Sequence, residues 1–466
     1  MKYEMVDFVF EYEVKQRELD CICLVAAYLI NKGFTVAFIN SWQCLEERPK
    51  PYSAKVAVIP AGYDDGTYNF FTKYIAKFEK VVNFQWEQIR RNYFYRHHQN
   101  ESIDYSGTGC KIRHICWGNK SKEWMNRYFG IQDEYLYVAG YLPLDFYRSE
   151  ISSLLISKDE LFGKYNLDTS QKTLLFVSSF SFVGLPDTEP HGNDMYYNLS
   201  LSHFIQMQHI LIEWFEKFAA LHPDYQLIYR YHPAEKNNPE IERMVNSHSN
   251  IYAINSERLN HWIAACDKIY NCYSTSMIEM MYSGKDTYLC RPIPLPHEID
   301  IPIFENAHCI TTYNDFETSA IESQMLSFPV DSNCLLQWYD INDYPVYARI
   351  GDYLIDTYYD VTYNSRPASD NVFKHILSKK IKRMIKNSLL FQIFSDYCIS
   401  HMGRNQITDK LRSIEKNKIQ EQRYYQELNI GDSYIRKKID QNKVSDNEIE
   451  KKINKCREIL GRNKAE

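Results

Sequence analysis

Two short polar phrases have the residue types and spacing to hold a phosphate. The first is Arg230-Tyr231-His232-Pro233-Ala234-Glu235, directly after the apolar run Leu227-Ile228-Tyr229. Arginine presents forked donors that match a phosphate edge, and an imidazole in the right protonation state donates to a phosphate oxygen. Pro233 fixes the direction in which the chain leaves the run. The second phrase runs from Asn271 through Ser274, Thr275 and Ser276 to Glu279, with Lys285 and Arg291 beyond it. Its three hydroxyls precede a predicted helix, whose free N–H groups and positive dipole end favour an anion. Glu279, one turn inside, can accept from the N-cap backbone or from a ribose diol. The set Arg230, His232, Glu235, Ser274, Thr275, Ser276, Glu279 and Arg291 suits a nucleoside mono- or diphosphate. The competing reading is structural: Ser276-x-x-Glu279 before an apolar run is also a capping box, and His-Pro alone is not diagnostic.

Such a set needs a scaffold that stops strands and starts helices at one edge. Both phrases fall where a β-type run ends and a helix begins, the place where open α/β sheets bind ligands. The stretch Leu227 to Pro292 reads strand, turn, helix, strand, turn, helix, strand, which puts the two phrases on adjacent βα units. The same grammar fills the first part of the chain. Residues 5–10 read as a strand, followed by the polar turn Glu11 to Glu18, the helical pattern Leu19 to Ile30, a stop at Gly33, and a strand at 35–39. Strands at 55–60, 80–84, 112–117 and 135–139 continue it, with helices through 70–78 and 120–129. Repeated units of this kind give parallel, doubly wound sheets. The expected division is 1–155, a polar linker 156–171, a second α/β domain 172–367, and a helical tail 368–466. The strand 173–179 opens the second domain and leads into a long loop, 180–197, of a length usually reserved for function.

The 466 residues are too many for one core, and with 38 Tyr and 24 Phe against 16 Gly and 16 Pro they exclude fibrous and low-complexity classes. Twelve scattered cysteines without a C-x-x-C pair read as buried free thiols in a reducing compartment. No leader pattern opens the chain and no run approaches the ~20 apolar residues of a membrane span, so the expected location is cytoplasmic. The net charge of −6 is unevenly shared: residues 371–466 carry 22 Lys and Arg against 12 Asp and Glu, leaving −16 on the rest. Within that basic tail, residues 372–390 form an amphipathic helical pattern with lysines off the apolar stripe. A charged helix packed on the body and a patch for an anionic membrane surface are both open. Nucleic acid is disfavoured, since no aromatic-interleaved basic motif accompanies the charge.

The phrase Arg-x-His-Pro-x-Glu, the run Cys266 to Glu279, Gly284-Lys285 and Arg291-Pro292 together resemble the C-terminal half of GT-B glycosyltransferases of bacterial capsule and lipopolysaccharide biosynthesis. The likeness is to polysialyl- and Kdo-transferases, with CDP-glycerol polyol-phosphate transferases further off. Glu11 to Glu18, Asn83 to Gln88, Trp117-Gly118 and Gly140-Tyr141-Leu142-Pro143-Leu144-Asp145 resemble the first half. The last phrase lacks the arginine that its counterparts carry before the aspartate.

The resemblance implies two Rossmann-like domains facing a cleft, plus the basic helical extension. It implies a nucleotide-sugar donor held as substrate by the second domain, a glycan or lipid-linked acceptor on the first, and no separate cofactor or obligatory metal. In that frame Arg230 and His232 hold the donor phosphate, Ser274 to Ser276 cap it, and Glu279 takes the ribose. A base for the acceptor hydroxyl belongs at a strand end of the first domain. Glu87 leads, beside Trp86, which would raise its pKa and stack on a sugar; Asp64, Asp65, Glu11 and Glu13 follow. The Asp64-Asp65-Gly66 group is otherwise a plain turn and Glu87 a helix N-terminal carboxylate. His97, His98 and His114 lack the partners of a metal site. The expected activity is inverting sugar transfer on the inner face of the cell membrane. A CDP-polyol phosphotransferase, a nucleotide-sugar epimerase and a non-catalytic glycan-binding scaffold are the alternatives.

Overall fold

The structure, a computed structural model, describes residues 3–45, 50–92, 105–180, 183, 195–232, 235, 238–322, 329–363 and 439–462. Two six-stranded sheets, every strand pair parallel, make up the body. The first contains β1 (Glu4–Tyr12), β2 (Val36–Asn40), β3 (Tyr52–Ile59), β4 (Lys77–Asn83), β5 (Arg113–Cys116) and β6 (Leu136–Val138), in the order β2-β1-β3-β4-β5-β6. The second contains β7 (Lys172–Val177), β8 (Tyr225–Arg230), β9 (Ile251–Ile254), β10 (Lys268–Asn271), β11 (Asp286–Cys290) and β12 (Cys309–Ile310), in the order β12-β11-β10-β7-β8-β9.

Parallel strands are covered on both faces, which explains their near-continuous apolar runs. In β1, Phe8, Phe10 and Tyr12 enter one core and Val9 the other, as a period of two requires. After β1 a single turn of π-helix, Lys15–Leu19, runs into α1 (Asp20–Asn31). Gly33 ends α1 at φ 94°, the left-handed conformation that the glycine stop predicts.

Two features depart from the sequence reading. Between the two polar phrases lies a further βα unit, β9 with a short helix at Leu259–Ala265, so the phrases are two units apart in sequence. In space they flank β7, because the sheet order reverses there. Both phrases therefore sit at the switch point of a doubly wound sheet, where neighbouring loops diverge and leave a crevice.

The second departure concerns residues 346–359. The helix Val346–Tyr359 buries Val346, Ile350 and Leu354 in the core that α1 and the first sheet form, not in the second. Each such side chain contributes about 1.5–3 kcal/mol on leaving water. Asp145, the aspartate of the Gly140 to Asp145 phrase, is fully buried and accepts from the Val346 and Tyr347 N–H groups at 3.1 and 2.6 Å. It thereby caps that returning helix. Gly140 has φ 98°, and a Cβ there would meet the Asp340 carbonyl at 2.7 Å, so the phrase needs its glycine for both reasons.

The expected basic helix 372–390 lies outside the described residues. A later tail helix, Asp446–Arg462, packs on α1 through Cys456, Ile459 and Leu460, and Lys452 reaches Asp20 at 2.6 Å. Among the described residues no helix is long and apolar enough to cross a membrane. The described cysteines are free, and most of them are buried.

Candidate functional site

The crevice beside β7 is built from three strand ends. At the end of β8, the His232 turn is held by Glu235, whose buried carboxylate accepts from four donors: His232 N–H at 2.9 Å, Tyr229 Oη at 2.8 Å, Gln208 Nε2 at 3.1 Å, and Ser178 Oγ. Ser178 belongs to the end of β7 and Gln208 to the long helix Met195–Leu221. Burial raises the Glu235 pKa, against the pull of these hydrogen bonds. Glu235 thus shapes the turn that carries the partly exposed His232.

Arg230 is 5% exposed. Its Nη1 donates to the Tyr231 carbonyl at 3.1 Å and its Nη2 to the Glu257 carbonyl at 2.5 Å, while Nε has no partner. Burial pulls its pKa down to about 10, which still leaves it charged at neutral pH. Arg291 is committed more fully: Nε donates to the Cys272 carbonyl at 2.9 Å, and both Nη groups grip Asp300 at 2.6 and 2.9 Å. Its forked geometry is matched to an internal carboxylate, and it braces the floor of the second phrase.

That phrase precedes the short helix Met277–Tyr282, for which Ser276 makes no side-chain cap; its N–H donates to Ser274 Oγ at 3.2 Å. The capping-box alternative therefore does not describe this turn. Glu279 instead accepts from Tyr141 Oη at 3.2 Å, across 138 residues of sequence. Burial lifts its pKa to about 7, opposed by Arg258, Tyr141, Tyr147 and Arg230. Tyr339 Oη donates to the Thr275 carbonyl at 2.8 Å.

From the first sheet, the segment after β4 reaches across: Asn92 N–H donates to the Asp300 carbonyl at 2.7 Å and its side-chain amide to His297. Glu87 on this segment is 59% exposed and paired with Arg17 Nη1 at 2.8 Å. Desolvation by the walls would raise its pKa, but Arg17, Arg90 and His232 outweigh it and hold the carboxyl below its usual range. The expected rise from Trp86 is thus reversed. Trp86 is buried against Phe84, with ring centroids 4.5 Å apart, and has no face for a sugar. Through Asn92 the segment that carries Glu87 lies against the loop after β11 of the second sheet.

Other candidates are occupied elsewhere. Asp64 caps the helix Asp65–Thr72 through Thr67, and Asp65 anchors Thr108 by its N–H at 2.8 Å and its hydroxyl. Glu11 is buried with its pKa driven up by desolvation, accepting from Ser41 Oγ at 2.8 Å. His114 is a core residue, bonded to Asn83 at 3.0 Å and the Gly109 carbonyl at 2.8 Å. His97 and His98 lie outside the described residues. Among the described residues no group of three or more His, Cys, Asp and Glu is placed to hold a metal ion.

Arg17 was not legible as a site residue. It projects from the π-helical turn, where Glu18, fully buried, accepts from its Nε and Nη2 at 3.1 and 2.7 Å and from Glu13 N–H at 2.7 Å. Turns of this type concentrate at functional sites, but the residues Lys15 to Leu19 do not announce one.

No family model and no curated protein sequence matches this chain. Among solved structures it is similar to a histidine-to-asparagine variant of the wall teichoic acid polymerase TagF, at 12% identity and TM-score 0.50, over 76% of this chain and 90% of that one. It is also similar to the Methanocaldococcus jannaschii UDP-GlcNAc 2-epimerase in complex with UDP-GlcNAc and UDP, at 10% identity and TM-score 0.47, over 76% and 99%. The second likeness is too loose to add to the first. With the two parallel sheets and the returning helix, the TagF likeness makes the fold GT-B.

Proposed function

We propose that this chain is a glycosyltransferase that moves a sugar from a nucleotide-linked donor to a hydroxyl of a surface polysaccharide or lipid-linked glycan, with inversion at the transferred carbon. One observation carries the reading: the segment after β4 that bears Glu87 crosses to the second sheet, where Asn92 N–H donates to the Asp300 carbonyl at 2.7 Å and Asp300 in turn grips Arg291 under the hydroxyl phrase. The donor's phosphate rests by His232 and the hydroxyls of Ser274, Thr275 and Ser276, with Glu279 toward the ribose. The acceptor approaches from the Glu87 side. Its hydroxyl gives its proton to the Glu87 carboxylate as its oxygen bonds to the anomeric carbon, and the bond from that carbon to the phosphate oxygen breaks. His232 then meets the charge that develops on the leaving nucleotide. Arg230 adds positive potential from behind the turn, and Glu235 keeps the turn in shape.

Glu87 is ionised at neutral pH, the form a base needs. The test separates binding from chemistry: Glu87→Ala abolishes turnover and leaves nucleotide affinity intact, whereas His232→Ala weakens the nucleotide. Retained turnover in Glu87→Ala removes it as the base. A polyol phosphotransferase would use the same cradle, and the product tells them apart: phosphate transferred with its polyol, or sugar transferred alone.

A further inference from the structure

The second phrase is tied to residues that the sequence places far from it. Tyr141, just after β6 and next to Gly140, donates to Glu279 at 3.2 Å. Tyr339, at the end of the helix Ser332–Trp338, donates to the Thr275 carbonyl at 2.8 Å. The two rings and Trp117 form one aromatic cluster, with centroids 4.6 Å (Trp117 to Tyr141), 5.7 Å (Trp117 to Tyr339) and 5.5 Å (Tyr141 to Tyr339) apart. The cluster admits no slack. A Cβ on Gly118 would meet the Trp338 carbonyl at 2.4 Å, and the Asp340 N–H donates to the Trp117 carbonyl at 2.7 Å. The same hub carries the Asp145 cap of the returning helix.

We infer that Tyr141 and Tyr339 are positioning residues for the donor: Tyr141 sets the Glu279 carboxylate that receives the ribose, and Tyr339 sets the backbone of the hydroxyl turn. This rests on the donor site proposed above and extends it to a residue of the first half. The two tyrosines act differently. A hydroxyl donor beside a buried carboxyl favours its ionised form. Glu279 is faced by Tyr141 and Tyr147 from the 141–147 segment, Arg258 from the turn after β9, Arg230 from β8 and Cys21 from α1. Of these, Tyr141 donates to it at 3.2 Å, and the Tyr147 hydroxyl also acts on the same carboxylate. Tyr339 instead donates to a backbone carbonyl, which does not titrate.

The experiment is calorimetric titration of the full chain with CMP, CDP, UDP and GDP between pH 5.5 and 8.5, for wild type, Tyr141→Phe and Tyr339→Phe. Each variant removes one hydroxyl and keeps the ring, and circular dichroism checks the fold. Wild-type affinity is expected to fall as the pH drops through about 7, where Glu279 takes up a proton and loses acceptor capacity for the diol. Tyr141→Phe weakens binding roughly 3- to 10-fold at pH 7 and moves that midpoint upward. Tyr339→Phe weakens it by a similar factor with the midpoint unmoved. Wild-type affinity and midpoint in Tyr141→Phe overturn the inference and leave the donor site standing. Failure of the wild type to bind any of the four nucleotides overturns both.

Discussion

Replacing Glu235 with alanine removes an acceptor that four buried or half-buried donors share. Each buried donor left without a partner costs about 1–3 kcal/mol. The four penalties do not add, because Ser178 Oγ and Tyr229 Oη lie 3.0 Å apart and can pair, and Gln208 keeps Tyr229 at 3.1 Å. The His232 N–H loses the carboxylate that it donates to at 2.9 Å. A loss of about 3–4 kcal/mol follows, within the range for breaking a buried charged network. Glu235→Gln keeps one acceptor oxygen, and its amide can donate to a hydroxyl, so about 1–2 kcal/mol is expected. The pH dependence is also fixed. Because burial raises the folded pKa, the native state holds the proton more tightly than the unfolded chain. That contribution is full below the unfolded value near 4.5 and is lost as the pH rises through the folded value. The gap between wild type and the non-titrating Glu235→Gln therefore narrows from pH 4 to pH 7. Urea unfolding gives the stabilities, and hydrogen exchange at the His232 amide reports the turn directly. If Glu235→Ala stays within about 0.5 kcal/mol of wild type with the amide equally protected, the clamp is wrong.

Asp145→Ala strips the cap from the helix Val346–Tyr359 and should lower stability by about 1–2 kcal/mol, with exchange across that helix accelerating first. Asp300→Ala leaves the Arg291 guanidinium buried without its partner, a loss of about 3–5 kcal/mol; replacing both with apolar residues of similar size should recover most of it in urea unfolding. Lys452→Met removes one of two cations at Asp20, whose pKa is lowered against burial by Arg258 and Lys452. Its cost, about 1 kcal/mol at pH 7, should vanish as the pH falls through the depressed Asp20 value, measured as the unfolding midpoint against pH.

The sheets were legible because each strand ends in a glycine, proline or polar turn and the helices between them keep one apolar face, as from Leu19 to Gly33. The candidate site was read from the same signal, since strand ends are where β-patterns stop. Strand order was not. Nothing local states that β7 separates β8 from β10, since pairing across a crossover is set by the packing of the whole sheet. The identity of partners was equally hidden. Arg230, Glu235 and Arg291 look like ligand contacts in isolation, and their carbonyl, hydroxyl and carboxylate partners lie in other elements. Tyr141 could be singled out only as the neighbour of a glycine, and the return of residues 346–359 to the first core left no trace but the buried Asp145 that caps them.

The central claim is that the cleft holds a nucleotide beside His232. Calorimetric titration of the full chain at pH 7.5 with CMP, CDP, UDP and GDP tests it most directly. The account predicts that at least one binds, and that His232→Ala weakens that one by roughly tenfold, the range of a lost hydrogen bond to a charged group. Binding by none of the four, or binding that His232→Ala leaves unchanged, would contradict it.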